Sequence, residues 1–532
     1  MPYEQNSLVG NLVQAGQLNT ASQIDALTVQ RGGQWYKNDY HAFAPRIGFA
    51  WDLTGDGKTS IRANYGIFYD RMIGSTTSLV DGNTPGFSQV VTVYPNQSGT
   101  GDLRIADNPA APSQPAAPVL TLPATRSTSM AAFNPNLTDG YVQSWSINIQ
   151  RELARNTVLQ VAYVANHGLK LFMDQDLAQT HANPALQSAF QELVANCTTA
   201  ACNATSLAAV SPNNLFVKMF GTASAAVSAM GSSNVQTGQY GNAIYNVEQS
   251  SNVNAKYAAA GLSEYAVRNY PQYNELIYGT NAGLSWYNSL QVSLRRQVGS
   301  LRLAANYTWS KSLDNSSQEG NSFTPTLDDY NLKLNKARSD YDRPQVFNMQ
   351  GLWTLPIGRG HKFGTEMPKW ANALVAGWDL GGLWIWESGA PMTASSGRYT
   401  GLTYYGASSW DNFSGGSRNI GSVQRMGNGV WFFNPNQNII NEFAFPGALD
   451  TGNSGRNTFR GPRFWNVDAS LVKSFAITER KRLTFRAEAY NLFNNVDFAN
   501  PSLSLSSPAT FGKISSVVNN PRLLQGALRF DF

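Results

Sequence analysis

Hydrophobic and polar residues alternate along this chain with a period of two, the spacing of a strand with one oily and one wet face. In the cleanest segment Leu284, Trp286, Leu290, Val292 and Leu294 interleave with Ser285, Ser289, Gln291, Ser293 and Arg295. The return strand sets Leu301, Leu303, Ala305, Tyr307 and Trp309 against Arg302, Asn306, Thr308 and Ser310. A second hairpin is predicted where Ile47-Gly48-Phe49-Ala50-Trp51-Asp52-Leu53 meets the turn formers Thr54-Gly55-Asp56-Gly57-Lys58 and alternation resumes through Ile61, Ala63, Tyr65, Ile67 and Tyr69. A third runs through Trp145, Ile147 and Ile149, turns near Arg155-Asn156, and returns through Leu159, Val161 and Tyr163. Two more join Phe347–Leu355 to Trp378–Trp386 and Trp465–Phe475 to Leu483–Phe493, the latter across Thr478-Glu479-Arg480-Lys481. With weaker candidates near Val90 and Ile514 and a last strand ending at Phe532, the pattern predicts about 12 to 14 strands, each near the ~9 to 11 residues that cross a bilayer at a tilt.

Between the hairpins lie long polar segments, residues 96–138, 172–280, 312–342 and 396–460, rich in Asn, Ser, Gly, Ala, Pro and Thr. Such lengths are foreign to a compact soluble domain. Short turns at one end of the strands and long loops at the other are the layout of a barrel that crosses an outer membrane. The expected fold class is therefore all-β: a partial transmembrane antiparallel β-barrel over residues 38–532 with long extracellular loops, preceded by an irregular start over residues 1–37. The stretch Ala182–Ala209, where Ala, Leu and Gln recur at mixed spacing, admits short helices.

Composition supports this reading. Only 14% of the 532 residues are charged and 12% are aromatic, against ~25% charged in ordinary soluble domains. A lipid-facing wall needs that balance, and the mean hydropathy of −0.29 then does not argue for solubility. No run approaches the ~18 apolar residues of a membrane-spanning helix, but a closed barrel is the other way to satisfy every backbone group in lipid. The net charge of +5 is spread thinly, with no Lys/Arg block to follow a nucleic-acid backbone, so nucleic acid is not an expected partner. The start, Met1-Pro2-Tyr3-Glu4-Gln5-Asn6, has neither the basic nor the apolar stretch of a signal peptide, and the chain is expected to be a fragment of a longer protein.

No enzymatic motif is present. His41, His167, His181 and His361 are scattered outside any His-Glu-x-x-His pattern, and Asp52 with Asp56 and Gly57 reads as a hairpin turn better than as a calcium loop. Cys197 and Cys202 are separated by four residues, which leaves a small disulfide loop or free thiols open and makes a metal site a poor fit. No cofactor is expected. A charge facing lipid near the midplane costs ~2 to 4 kcal/mol for Arg or Lys, so Arg62, Arg295, Arg302, Asp379, Glu387, Arg486, Glu488 and Arg529 are expected to face inward. They either line a lumen for polar solutes or brace the wall as ion pairs.

The last residues, Gln525-Gly526-Ala527-Leu528-Arg529-Phe530-Asp531-Phe532, place Leu528, Phe530 and Phe532 on one face. Gln525, Ala527, Phe530 and Phe532 resemble the terminal signal by which the barrel assembly machinery recognises its clients, with Ala where Gly is more usual. Other segments resemble TonB-dependent transporters of the Oar-like group. They are Ala44-Pro45-Arg46-Ile47-Gly48-Phe49 with Tyr65-Gly66-Ile67-Phe68-Tyr69-Asp70-Arg71; Gln143-Ser144-Trp145 through Gln150-Arg151-Glu152-Leu153; and Tyr307-Thr308-Trp309-Ser310-Lys311-Ser312-Leu313-Asp314. Asp342-Arg343-Pro344 and Arg486-Ala487-Glu488-Ala489-Tyr490-Asn491-Leu492-Phe493-Asn494 complete the set. The resemblance implies a large barrel of ~22 strands with a plugged lumen, sited in the Gram-negative outer membrane. It also implies contact with lipid, an unknown bulky extracellular ligand, and coupling to the TonB complex through a plug and amino-terminal region that this sequence lacks. The alternative is a structural or adhesive barrel without active transport.

Overall fold

The computed structural model describes residues 36–70, 128–271, 273–317, 326–401, 407–434, 439–478 and 480–532. The candidate strand near Val90 and residues 1–35 of the expected irregular start lie outside them. Eleven strands follow one another as an antiparallel meander: β1 Arg46–Asp52, β2 Thr59–Asp70, β3 Gly140–Ala154, β4 Thr157–Asp176, β5 Tyr273–Val298, β6 Leu301–Asp314, β7 Gln345–Thr354, β8 Trp378–Glu387, β9 Phe464–Ala476, β10 Arg482–Tyr490 and β11 Leu523–Asp531. The short strands Thr128–Phe133 and Ala337–Arg338 bring the sheet to thirteen, inside the range the alternation predicts. Thr128–Phe133 falls in a stretch read from the sequence as loop, and it adds in parallel along the start of β5. β1 and β11 do not pair with each other, so among the described residues the sheet is an open wall with two edges.

Cross-strand register shows why this sequence makes this wall. Phe49 lies opposite Ala63, which lies opposite Ile147, then Tyr163, Leu290 and Trp309. Farther along, Tyr307 meets Phe347, Phe347 meets Trp386, and Trp386 meets Trp465. A slip of one residue in any pair would turn these rings to the other face. Phe49, Ile147, Leu290, Trp309 and Trp384 are all exposed. A soluble fold would bury such a continuous apolar surface, whereas lipid is the solvent that suits it.

The ends of the wall differ as expected. At one end β1–β2, β3–β4, β5–β6 and β9–β10 are joined by tight turns, with Asn156 and Gly299 at φ 58° and 55°. Asp52 accepts hydrogen bonds from the Gly55 and Gly57 amides at 3.1 and 2.9 Å, so this acidic stretch is a hairpin turn. The β7–β8 link at the same end is longer and carries a short helix, Lys369–Val375, which the alternation did not announce.

At the other end the connections are folded rather than open. Seven helices, from Pro184–Asn196 to Val253–Ala259, fill the β4–β5 connection and extend well past Ala209. Their starts are capped by side chains: Asn183 accepts from the Ala185 and Leu186 amides, Asn203 forms a capping box with Ser206, and Thr222 accepts from Ala225. Leu186, Phe190, Phe216, Tyr240, Ile244 and Val247 form their core. Cys197 and Cys202 are disulfide-bonded, which resolves the alternative left open by spacing. The β8–β9 and β10–β11 connections pack together around Phe413, Phe433, Phe443, Phe459 and Phe511. Ile514 belongs here, in the three-stranded sheet formed with Gly429–Trp431 and Gln424–Met426, and not in the wall.

Candidate functional site

The register puts the inward candidates on one face, the face opposite the Phe49 to Trp465 rows. Arg62 lies across from Ala50 and Asn148, Arg295 from Val158 and Ala304, and Arg302 from Gln297 and Leu352. Glu387 lies across from Val346 and Phe464, Arg486 from Val472 and Ala527, and Glu488 from Ser470 and Gln525. Asp379 and Arg529 share that face, opposite Val472 and Thr484. Strand geometry alone puts them on one face, because side chains two residues apart point the same way.

These residues divide by pairing. Arg486 meets Glu488 at 2.5 Å, Arg529 meets Asp531 at 2.7 Å, and Glu387 sits 3.8 Å from Arg343. Asp379 accepts a hydrogen bond from Thr354 at 2.5 Å. Arg62, Arg295 and Arg302 have no carboxylate within ion-pair range among the described residues. Arg295 and Arg302 line a groove of about 560 Å³ with Gln297 and Gln350 near the tight-turn end. At the chain terminus Gln525 and Ala527 take the polar face, while Leu528 and Phe530 take the apolar one opposite Phe485 and Leu483. The Phe530 and Phe532 rings stack with centroids 6.1 Å apart.

A second constellation, at the long-loop end, was not picked out by the sequence reading. Arg456 pairs with Asp314 and Arg460 with Asp342, and both contacts tie the β8–β9 connection to the top of β6 and its loop. Asp342 also accepts the Ser312 amide at 2.7 Å, and the Pro344 carbonyl accepts the Ser310 amide at 2.8 Å. This explains why Asp342-Arg343-Pro344 forms a recognisable segment: it closes the upper end of β6. The signal was present in that motif, but its partner Arg460 is distant in sequence and its spacing carries no pattern. Tyr163, Trp309, Lys311, Arg338, Asp342 and Arg460 border a second groove, of about 510 Å³.

Two buried acids stand out in the loops. Asp411 is fully buried, neither carboxylate oxygen has a hydrogen-bond partner among the described residues, and burial pushes its pKa up to about 7. Asp329 is pushed up to about 6 by burial, although Thr326 and the Asp176 amide donate to it at 2.6 and 2.7 Å. Among the described residues no group of His, Cys, Asp and Glu has the arrangement of a metal site.

The profile of the outer membrane beta barrel domain family matches residues 1–525. The chain belongs to that family. Its place is the Gram-negative outer membrane, and the apolar face of the barrel domain is its lipid face. By the rule for such barrels the tight turns are periplasmic and the folded connections extracellular. Among solved structures the barrel domain is similar to the outer membrane transporter YddB from Escherichia coli, with 8% identity and a TM-score of 0.41 over 90% of this chain and 39% of that one. It is also similar to BauA, the ferric preacinetobactin receptor from Acinetobacter baumannii, at 10% identity and a TM-score of 0.35 over 92% and 36% of the two chains. The ferripyoverdine receptor of Pseudomonas aeruginosa aligns at 11% identity and a TM-score of 0.36 over 95% and 34%. The barrel domain thus spans well under half the length of these structures. No curated protein sequence matches it.

Proposed function

We propose that this barrel domain forms the wall and the ligand-facing end of a TonB-dependent, Oar-like importer of a bulky nutrient. The observation that supports this reading is the set Arg62, Arg295 and Arg302 on the polar face, which has no ion-pair partner among the described residues. A charge within a membrane-spanning wall is stabilised by a carboxylate, by water or by a ligand. Where no carboxylate is near, the face is wet and suited to polar or anionic solutes. The extracellular connections, with their own cores, supply a rigid surface on which a ligand is first held. Coupling to TonB rests on the family resemblance and requires a plug and contact segment ahead of the wall.

Deleting the gene in its host and measuring growth and uptake on single nutrient classes tests the reading. The expected result is a defect confined to one class and reproduced by loss of TonB. Unchanged uptake of every class in both strains would sink it. The adhesive or structural alternative is supported by a different observation, the ion pairs that brace Arg486 with Glu488 and Arg343 with Glu387. It predicts lost surface attachment with uptake intact.

A further inference from the structure

The β7–β8 connection is the one periplasmic link among the described residues that carries a helix, and that helix packs against two residues of the apolar face. Its position is fixed by two residues of the apolar face. Trp378, which opens β8, donates its indole N–H to the Leu374 carbonyl at 2.9 Å. Lys473 of β9 faces Trp378 across the strands and is only 2% exposed. Its ammonium donates to the Leu374 carbonyl at 3.1 Å and to the Ala376 carbonyl, beneath the Trp378 and Phe475 rings. A lysine on a lipid face is unfavourable unless covered. Here the carbonyl end of a helix covers it, the end that carries partial negative charge.

The helix Lys369–Val375 buries none of its own residues. Trp370 and Leu374, one turn apart, are 71% and 57% exposed, and Val375 and Phe363 beside them are exposed as well. Between β7 and the helix end the connection carries Arg359, Lys362 and Lys369 against the single acid Glu366. The loop that presents them is tied to the helix. Asn372 accepts the Arg359 amide at 2.6 Å, and Gly358, at φ +124°, leaves no room for a side chain against Ala376 and Asn372.

We propose that Lys369–Val375 is an in-plane anchor in the periplasmic leaflet of the outer membrane, with Trp370, Leu374 and Val375 among acyl chains and Arg359, Lys362 and Lys369 on anionic phospholipid headgroups. The argument is continuity and charge. The ridge extends the lipid face of β8 and β9 without a break, at the level where aromatic and basic side chains gather in membrane proteins. It rests on the outer-membrane placement of the wall.

The test is site-directed spin labelling of the full chain in vesicles of phosphatidylethanolamine and phosphatidylglycerol. Its native cysteines are bonded to each other, so W370C, I147C and A255C can be labelled singly. The W370C label should collide with oxygen in preference to a water-soluble nickel chelate, as the I147C label on the wall does, while A255C in the extracellular insert shows the reverse. Omitting phosphatidylglycerol should lower the oxygen preference at position 370 by about twofold and leave position 147 unchanged. A water-exposed 370 beside a lipid-exposed 147 overturns the anchor and spares the wall. Water exposure at both overturns the membrane placement itself, and with it the anchor. A preference at 370 that ignores phosphatidylglycerol overturns the headgroup contact.

Discussion

Individual residues at the extracellular end set how firmly the connections hold, and two of them give sharp expectations. Asp411 ionises near pH 4 in an unfolded chain and near pH 7 in place, because burial disfavours its charge. Between those values the folded cap holds a proton that the open form has released, so the cap is most stable below about pH 4 and weakens as pH rises through 7. The full difference has an upper bound of about 4 kcal/mol. Hydrogen exchange over residues 391–461, corrected for intrinsic rates, should be faster at pH 8 than at pH 5, and Asp411→Asn should remove most of the difference. Equal protection of the native cap at both pH values would contradict this. Asp342, by contrast, is buried with partners. It is 1% exposed, pairs with Arg460 and holds the Ser312 amide. Removing one partner of such a pair leaves a buried charge and costs ~3 to 5 kcal/mol. Arg460→Met should therefore open the loop above β6 to protease, and Asp342→Asn with Arg460→Met should recover part of the loss. A double variant no better than the single would show that pairing is not the source.

The wall strands were legible in the sequence, and of the folded connections only the first short helices, Pro184–Asn196 and Ala204–Leu207, fell where the sequence admitted them, for a physical reason. A wall strand repeats its environment every second residue, so Leu290, Val292 and Leu294 announce their face without reference to anything else. The insert between β4 and β5 is built from helices of 4 to 13 residues whose cores form only when several are packed together. Only Pro184–Asn196, with Leu186, Ala189, Phe190 and Leu193 buried on one face, is long enough to show a helical period. Their caps, Asn183, Asn203, Asn214 and Thr222, were visible as composition, the Asn and Thr richness of a supposed open loop, and read as caps they mark four helix starts. The periplasmic helix was hidden for the same reason. Alternation was enough to group the eight charged candidates on one face, whereas which of them pair depends on neighbours that the sequence does not order. The insert is tied to β5 by a buried contact of Arg268 with Glu248 at 3.0 Å, outside hydrogen-bond alignment, while Arg268 donates to the Tyr273 and Asn274 carbonyls at 3.0 and 2.8 Å. Arg268→Met should loosen the whole insert by ~3 to 5 kcal/mol, and adding Glu248→Leu should restore most of it. Limited proteolysis between residues 184 and 268 reads the effect. Resistance equal to the native protein in the single variant would mean that the helical core holds the insert unaided.

At the scale of the molecule the question is what happens at the two edges. The backbone groups of β1 and β11 that point away from the sheet have no partner among the described residues. In hydrocarbon each such group costs several kcal/mol, and a strand carries a row of them. An open wall of eleven strands is therefore not a stable resident of a bilayer until both edges are joined, whether to each other or to further strands. Amides on the free side of Arg46–Asp52 should exchange with solvent as slowly in the membrane as those inside β5 and β6. Rapid exchange there would mean that the sheet is not embedded in this form. β11 carries Leu528 and Phe530 on the apolar face and Ala527 and Arg529 on the polar one, and the stacked rings of Phe530 and Phe532 lie at its end. Phe532 is 92% exposed and contributes little to the packing of the wall. Its loss should hardly change the stability of a barrel already folded. If the terminus is read by the assembly machinery, Phe532→Ala will instead lower the folded protein recovered in the outer-membrane fraction severalfold, while barrels that do insert keep their native heat-modified mobility on gels. Normal yield with altered mobility would assign Phe532 to the wall itself.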